Sequence, residues 1–285
     1  MAFAQFAFAM TDALVDQLVA RFAALPWSPL NQAEIDAQIA EEYRTARGVY
    51  LLGRVQTANV STVYVGQSNS ALYGRLCRHA EFVQDRYGLP YEGIRFKALG
   101  IIIFDSVALE KRLIAVYQTR WNKEDVASGW NVSGIGSNDT GAGRDKQKPS
   151  GFDKRFPIDI TLNKPGLLVP GLASPRQVFT RIKNIAPYTI RVAPTSLLQH
   201  AELQSSQTQI DSPDSSVLGA IQILLGALPS TWSVQVSPVR VLVQRSFQIP
   251  AGAVINPDQW PPAEWLQGED RCVVFRSAAN QPSVP

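Results

Sequence analysis

Tyr50, Tyr64, Arg75, His79, Glu110 and Asn122 are of types that together can hydrolyse a phosphodiester. That reaction needs an anchor for a divalent cation, a group to deprotonate water, and a cation to steady the charge developing on the phosphate oxygens. Glu110 offers a hard oxygen ligand of the kind that suits Mg²⁺. Arg75 offers the cation. His79 follows Arg75 by four positions, so on a helix both emerge from one face with Cβ atoms roughly 6 Å apart. Tyr50 and Tyr64 carry hydroxyls that accept or relay protons, although a phenol of pKa about 10 is a poor base until its neighbours help it. Each type alone has an ordinary use: a tyrosine at a sheet surface, an arginine on a solvated helix, an asparagine capping a turn.

These residues need elements that bring them together. "GVYLLGRV" (48–55) and "VSTVYVG" (60–66) are short, β-branched and aromatic, and the intervening "QTAN" makes them a hairpin with a tyrosine on each strand. "LYGRLCRHAEFVQDRY", from Leu72, has helical periodicity and carries Arg75 and His79; "IRFKALGIIIFD", from Ile94, reads as a buried strand. "SVALEKRLIAVYQTRW" is a second helix, with Ser106 as its N-cap and Glu110 in its first turns. Ahead of this core, residues 11 to 46 read as two helices separated by Pro26 and Pro29. After it comes a Gly- and Ser-rich stretch, "ASGWNVSGIGSNDTGAGRDKQKPSGFDKRFP", of a length that is usually functional or disordered. "NKPGLLVPGLASP" (163–175) reads as a linker, and the rest suggests strands, at "QVFTRIKNIAPYTIRVA" and "STWSVQVSPVRVLVQRSFQIP", around a helix near 215 to 228. That last segment carries no catalytic motif.

Composition sets outer bounds. A chain of 285 residues that is 45% apolar buries a sizeable core, and the length favours two domains. The net charge of +3 is too small to signal nucleic acid by itself, so any basic surface must be local. Cys77 and Cys272 have no metal-ligand spacing and read as reduced thiols of a cytoplasmic protein. The apolar N-terminus lacks a positive flank and is broken by Asp12, Asp16 and Arg21 at helical spacing, so it reads as an amphipathic helix and not a signal peptide. "VLGAIQILLGAL" is far short of the ~20 residues of a membrane span.

"GVY" at 48–50, "YVG" at 64–66, Arg75, His79, Glu110 and Asn122 resemble, in order and spacing, the GIY-YIG nuclease superfamily over residues 47 to 125. Val49 and Val65 replace the two isoleucines and keep a β-branched apolar side chain at each position. The "RLCRH" pattern most resembles the GIY-YIG type II restriction endonucleases, as does "WNVSGIGSNDTGAGRDKQKPSGFDKRFP", with Ile135 in place of an aromatic and Thr140 in place of a proline. Two Trp-Asn pairs compete for the family's asparagine. Spacing from Glu110 favours Asn122, and adjacency to "GIG" favours Asn131.

The resemblance implies a GIY-YIG core with a small, mostly antiparallel sheet flanked by helices; with the helical segment (1–46) read before it and a C-terminal α+β domain (176–285), for recognition or oligomerisation, read after it, the fold class expected is α+β. The nuclease domain would span 47–162. It implies one Mg²⁺ (or Mn²⁺) on Glu110, Tyr50 helping to deprotonate water, Arg75 stabilising the transition state, Tyr64 and His79 orienting groups or assisting proton transfer, and 5′-phosphate and 3′-hydroxyl products. Within the loop 126–157, Arg144, Lys146, Lys148, Lys154 and Arg155 lie among Gly and Ser, as cations meeting duplex phosphates would. The leading expectation is a sequence-specific double-strand DNA endonuclease acting as a homodimer or larger assembly. A structure- or modification-dependent nuclease of defence or repair, and a non-catalytic DNA-binding protein, are the alternatives.

Overall fold

The computed structural model describes residues 10–57, 59–101, 107–120, 129–131, 151–246, 248–249, 253–257, 259–262, 265 and 272–276. They form an α+β fold in two compact units, one within Met1–Gln84 and Pro90–Gly136, the other within Asp85–Leu89 and Ser137–Pro285. Among the described residues no helix is long and apolar enough to cross a membrane.

The first unit runs α1 (Met10–Ala24), β1 (Ser28–Pro29), α2 (Gln32–Gln38), β2 (Gly48–Gln56), β3 (Asn59–Ser68), α3 (Leu72–Gln84), β4 (Ile94–Gly100) and α4 (Val107–Val116). The expected hairpin, its following helix and the next strand all form. "LPWSPLNQ" does more than separate two helices: Ser28 and Pro29 add an edge strand to β4, and Asn31 caps α2 by accepting from the Glu34 amide at 2.9 Å. Ser106, expected to cap α4, lies outside the described residues.

The sheet order is β1-β4-β2-β3, antiparallel throughout. Because side chains alternate along a strand, one face carries Val49, Leu51 and Val65, and the other carries Tyr50 and Tyr64. The first face packs with Val15, Leu18 and Phe22 of α1 and Leu113 of α4 in one apolar cluster. Helix α3 lies over the other face, burying Leu72, Leu76, Ala80 and Val83 at helical spacing.

The second unit contains α5 (Gly151–Arg155), β5 (Asn163–Lys164), β6 (Gly171–Ala173), α6 (Pro175–Ile185), β7 (Thr189–Val192), α7 (Glu202–Ser205), β8 (Thr208–Ile210), β9 (Ser215–Ser216), α8 (Val217–Gly226), β10 (Trp232–Ser237), β11 (Arg240–Arg245), β12 (Val254–Ile255) and β13 (Val273–Arg276). Its main sheet has the order β12-β13-β10-β11-β7. Helices α6 and α8 supply Val178, Phe179, Ile182, Ile221 and Leu224 to the core beneath that sheet.

Three expectations need correction. The 163–175 stretch is no free linker: Leu167 and Leu168 are buried in the second unit's core, and Asn163–Lys164 and Gly171–Ala173 pair as strands. "QVFTRIKNI" is helical, because Ser174 and Gln177 form a capping box behind Pro175 at the helix start. Residues 85–87, read as the tail of the nuclease helix, belong with Gly88 and Leu89 to the second unit. There Arg86 donates to the carbonyls of Phe156 and Pro238 at 3.0 and 3.3 Å and pairs with buried Asp153 at 3.2 Å, while Lys164 pairs with Asp85 at 2.7 Å.

Candidate active site

The register of β2 against β3 sets Tyr50 opposite Gly66 and Leu52 opposite Tyr64. Both tyrosines therefore stand on the face that α3 covers. Gly66 is required there: a Cβ at this position would run into the Tyr50 ring and hydroxyl, so the glycine of "YVG" makes room for the tyrosine of "GVY". Sequence reasoning saw both motifs and missed their mutual packing, which only the register exposes.

Helix α3 closes the site from above. The Tyr50 hydroxyl lies 2.7 Å from His79 Nε2, and Arg75 Nε donates to Tyr50 Oη at 3.3 Å. The rings of Tyr50, Tyr64 and His79 form a triangle with centroid separations of 6.0, 5.5 and 5.4 Å. The predicted pairing of Arg75 with His79 on one helix face thus holds, and its target is the first tyrosine.

Burial decides the protonation states. Tyr50 is fully buried, which pushes its pKa up to about 12 against the opposing pull of Arg75 and of a hydrogen bond with Tyr64. His79 is pushed well below the ordinary 6.5, first by burial and then by Arg75 and Arg78. At neutral pH the phenol is protonated and the imidazole is not, so Tyr50 donates and His79 Nε2 accepts, with the ring proton on Nδ1.

This arrangement has a consequence for stability. In the unfolded chain His79 takes up a proton near pH 6.5; in the folded chain it does so only well below that, so folding stability is fully present above pH 6.5 and falls as the pH drops below it. The slope from this one group reaches about 1.4 kcal/mol per pH unit. Denaturant melts of wild type and His79→Gln between pH 7.5 and 5 check this: the wild-type curve should steepen below pH 6.5 relative to the variant, and parallel curves would contradict the buried neutral imidazole.

Glu110 comes from the first turn of α4 and is half-buried. Its pKa is raised by burial and partly restored by Arg75, and Glu110 in turn raises that of Tyr50. The carboxylate, the guanidinium and the phenol therefore act on one another electrostatically. Among the described residues no group of three acidic, histidine or cysteine side chains could cage a metal ion. A single desolvated carboxylate nevertheless fits Mg²⁺ or Mn²⁺, because Mg²⁺ commonly takes one or two protein carboxylates and completes its shell with water and substrate phosphate.

Asn122 lies outside the described residues. Asn131 is described, and its amide is occupied. Oδ1 accepts from the Val65 amide at 2.9 Å and from Thr119 Oγ1 at 2.6 Å, while Nδ2 donates to the Val65 carbonyl at 2.8 Å. Next to it, the Trp130 amide donates to the Val63 carbonyl at 2.7 Å. Since β3 is an edge strand of its sheet, the Trp130-Asn131 pair covers backbone groups that would otherwise be open. Asn131→Ala should therefore destabilise the first unit by about 2–4 kcal/mol, the cost of unpairing buried backbone groups. A lower Tm is the expected readout; an unchanged Tm with lost activity would make Asn131 a reacting group.

Of the five predicted DNA-contacting cations, Arg144, Lys146 and Lys148 lie outside the described residues. Lys154 and Arg155 stand on the short helix α5, in a segment read as loop, and Arg155 lies over the Phe156 ring at 5.3 Å. That helix is anchored by buried Phe152 and Asp153. No family model matches the chain, and no curated protein is similar enough in sequence to match it.

Proposed function

We propose that this chain is a Mg²⁺-dependent (or Mn²⁺-dependent) DNA endonuclease of the GIY-YIG kind, and that its type is restriction-like, cutting both strands of duplex DNA at a specific sequence. The observation that carries the proposal is the convergence of Arg75, His79 and Tyr64 on the buried hydroxyl of Tyr50, with Glu110 within electrostatic reach. Such a cluster has more polar groups than packing needs and the order of roles that phosphodiester hydrolysis calls for.

The residues divide the work as follows. Tyr50 Oη takes a proton from the attacking water while its own proton passes to His79 Nε2, which the short hydrogen bond and the neutral imidazole allow. Arg75 lowers the cost of negative charge on the Tyr50 oxygen and would steady the charge developing on the phosphate. Tyr64, ring-packed on both partners, orients the pair. A divalent cation on Glu110 would polarise the scissile phosphate and steady the leaving 3′ oxygen. The P–O3′ bond breaks as water adds to phosphorus, giving 5′-phosphate and 3′-hydroxyl ends. One such site cuts one strand, so double-strand cleavage calls for a homodimer or larger assembly, acting on DNA in the cytoplasm.

The test is cleavage of plasmid and linear duplex DNA with and without Mg²⁺, wild type against Arg75→Ala. The variant should turn over on the order of 10²-fold more slowly or worse, with duplex affinity little changed. Absence of metal-dependent cleavage by the wild type would sink the proposal, and an effect of Arg75→Ala confined to affinity would make Arg75 a binding residue.

A further inference from the structure

The second unit holds a groove of about 390 Å³, lined from β6, β8, α6 and the chain that leads into β6. Its floor of Leu168, Ala173, Val178 and Ile210 is apolar and belongs to the buried core. Its wall is apolar and open: Val169 is 55% exposed and Leu172 71%, more than any other large apolar side chain among the described residues. Isolated surface leucines need no account, but exposed apolar groups at the mouth of an apolar hollow mark a place that a partner covers.

Two further features define the chemistry of that partner. β6 pairs with β8 in a two-stranded sheet, and among the described residues no strand takes its other side. Its sequence, Gly171-Leu172-Ala173, has neither the charge nor the proline that commonly discourages pairing at a strand edge. Helix α6 adds positive charge: Arg176 and Arg181 both line the groove, and no acidic residue does. Arg181 donates to the carbonyls of Leu167 and Gly166 at 3.4 and 2.7 Å, and Arg176 donates to Gln199 Oε1 at 3.4 Å. These acceptors are neutral, so among the described residues no carboxylate balances either guanidinium.

We propose that this groove binds an extended acidic segment of another protein, which adds as a strand to the free side of β6, sets an apolar side chain against Leu172 and the floor, and places carboxylates on Arg176 and Arg181. In strand addition the backbone bonds supply affinity and the pockets for alternate side chains supply choice. Successive side chains of an added strand point to opposite faces, so every second one meets the groove. A carboxylate suits a guanidinium because it accepts two parallel charge-assisted bonds. The inference does not rest on the endonuclease reading: a nucleic acid backbone has the charge for the arginines but no apolar side chain for the hollow.

The experiment pans the full chain against a display library of random octapeptides, then titrates the selected peptides against wild type, Leu172→Asp and Arg176→Glu. Leu172 is exposed and Arg176 part-exposed, so Tm should hold in both variants. Selected sequences should combine an apolar residue with flanking Asp or Glu, and each variant should weaken binding by about 10-fold or more. N-methyl groups stepped along the best peptide should abolish binding at alternate positions, because a strand turns every second amide to its neighbour. No enrichment, enrichment without acidic residues, affinity unmoved in both variants, or N-methyl groups tolerated throughout would each overturn the inference. So would binding of octanoate with no peptide selected, which makes the groove a small-molecule pocket. DNA cleavage enters none of these readouts, so failure of the endonuclease reading leaves this one standing.

Discussion

Glu110→Gln should abolish cleavage while leaving duplex binding in place. The substitution keeps the shape of the half-buried side chain at the start of α4 and removes only its charge, which acts on Tyr50 and senses Arg75. A cation then loses its protein anchor, and the several kcal/mol of charge stabilisation that it supplies correspond to a fall in turnover on the order of 10³-fold. Affinity for DNA measured in EDTA should be unchanged or slightly higher, because a negative charge near the phosphate has gone. Substantial activity of this variant in Mg²⁺ would remove Glu110 from the site. Lost activity together with a lowered Tm would point to a packing role instead.

Tyr50→Phe and His79→Ala should each slow cleavage by about 10²- to 10⁴-fold, and the double variant should be little worse than the poorer single one. The reason is the 2.7 Å hydrogen bond: if the water proton reaches His79 only by way of the Tyr50 oxygen, removing either end closes the same route. Independent roles would instead multiply, giving a double variant slower than either by the product of the two effects. Neither change should alter which sequences are cut, since groups beside the scissile phosphate read no base. Folding must be checked in Tyr50→Phe, because the phenol is buried over Gly66 and its loss leaves His79 Nε2 without that partner.

Much of the first unit was legible in the chain itself. The alternation in "GVYLLGRV" and "VSTVYVG", and the helical spacing of Leu72, Leu76, Ala80 and Val83, are local signals, and the elements formed where those signals stood. The i to i+4 spacing of Arg75 and His79 likewise placed both on one helix face without any tertiary information. The helix α6 was also legible in principle. "SPRQ" carries an N-cap, a proline at the first helical position and a capping-box glutamine, and these outweigh the β-branched residues that made the following segment look extended.

What the sequence determined by itself, then, is the set of elements and the residue types each one presents, because propensity and periodicity act over a few residues. The partners were decided only by tertiary structure. That Gly66 makes room for Tyr50 depends on a strand register. That Asn131 spends its amide on Val65, 66 residues away, depends on which strand of the sheet is an edge. That "NKPGLLVPGLASP" is core and not linker depends on Leu167 and Leu168 finding apolar neighbours, which outweighs the local turn preference of its prolines and glycines. The protonation states of Tyr50 and His79 belong to the same class. The types of both residues are written in the chain, but the desolvation that shifts them exists only once α3 lies on the sheet and excludes water.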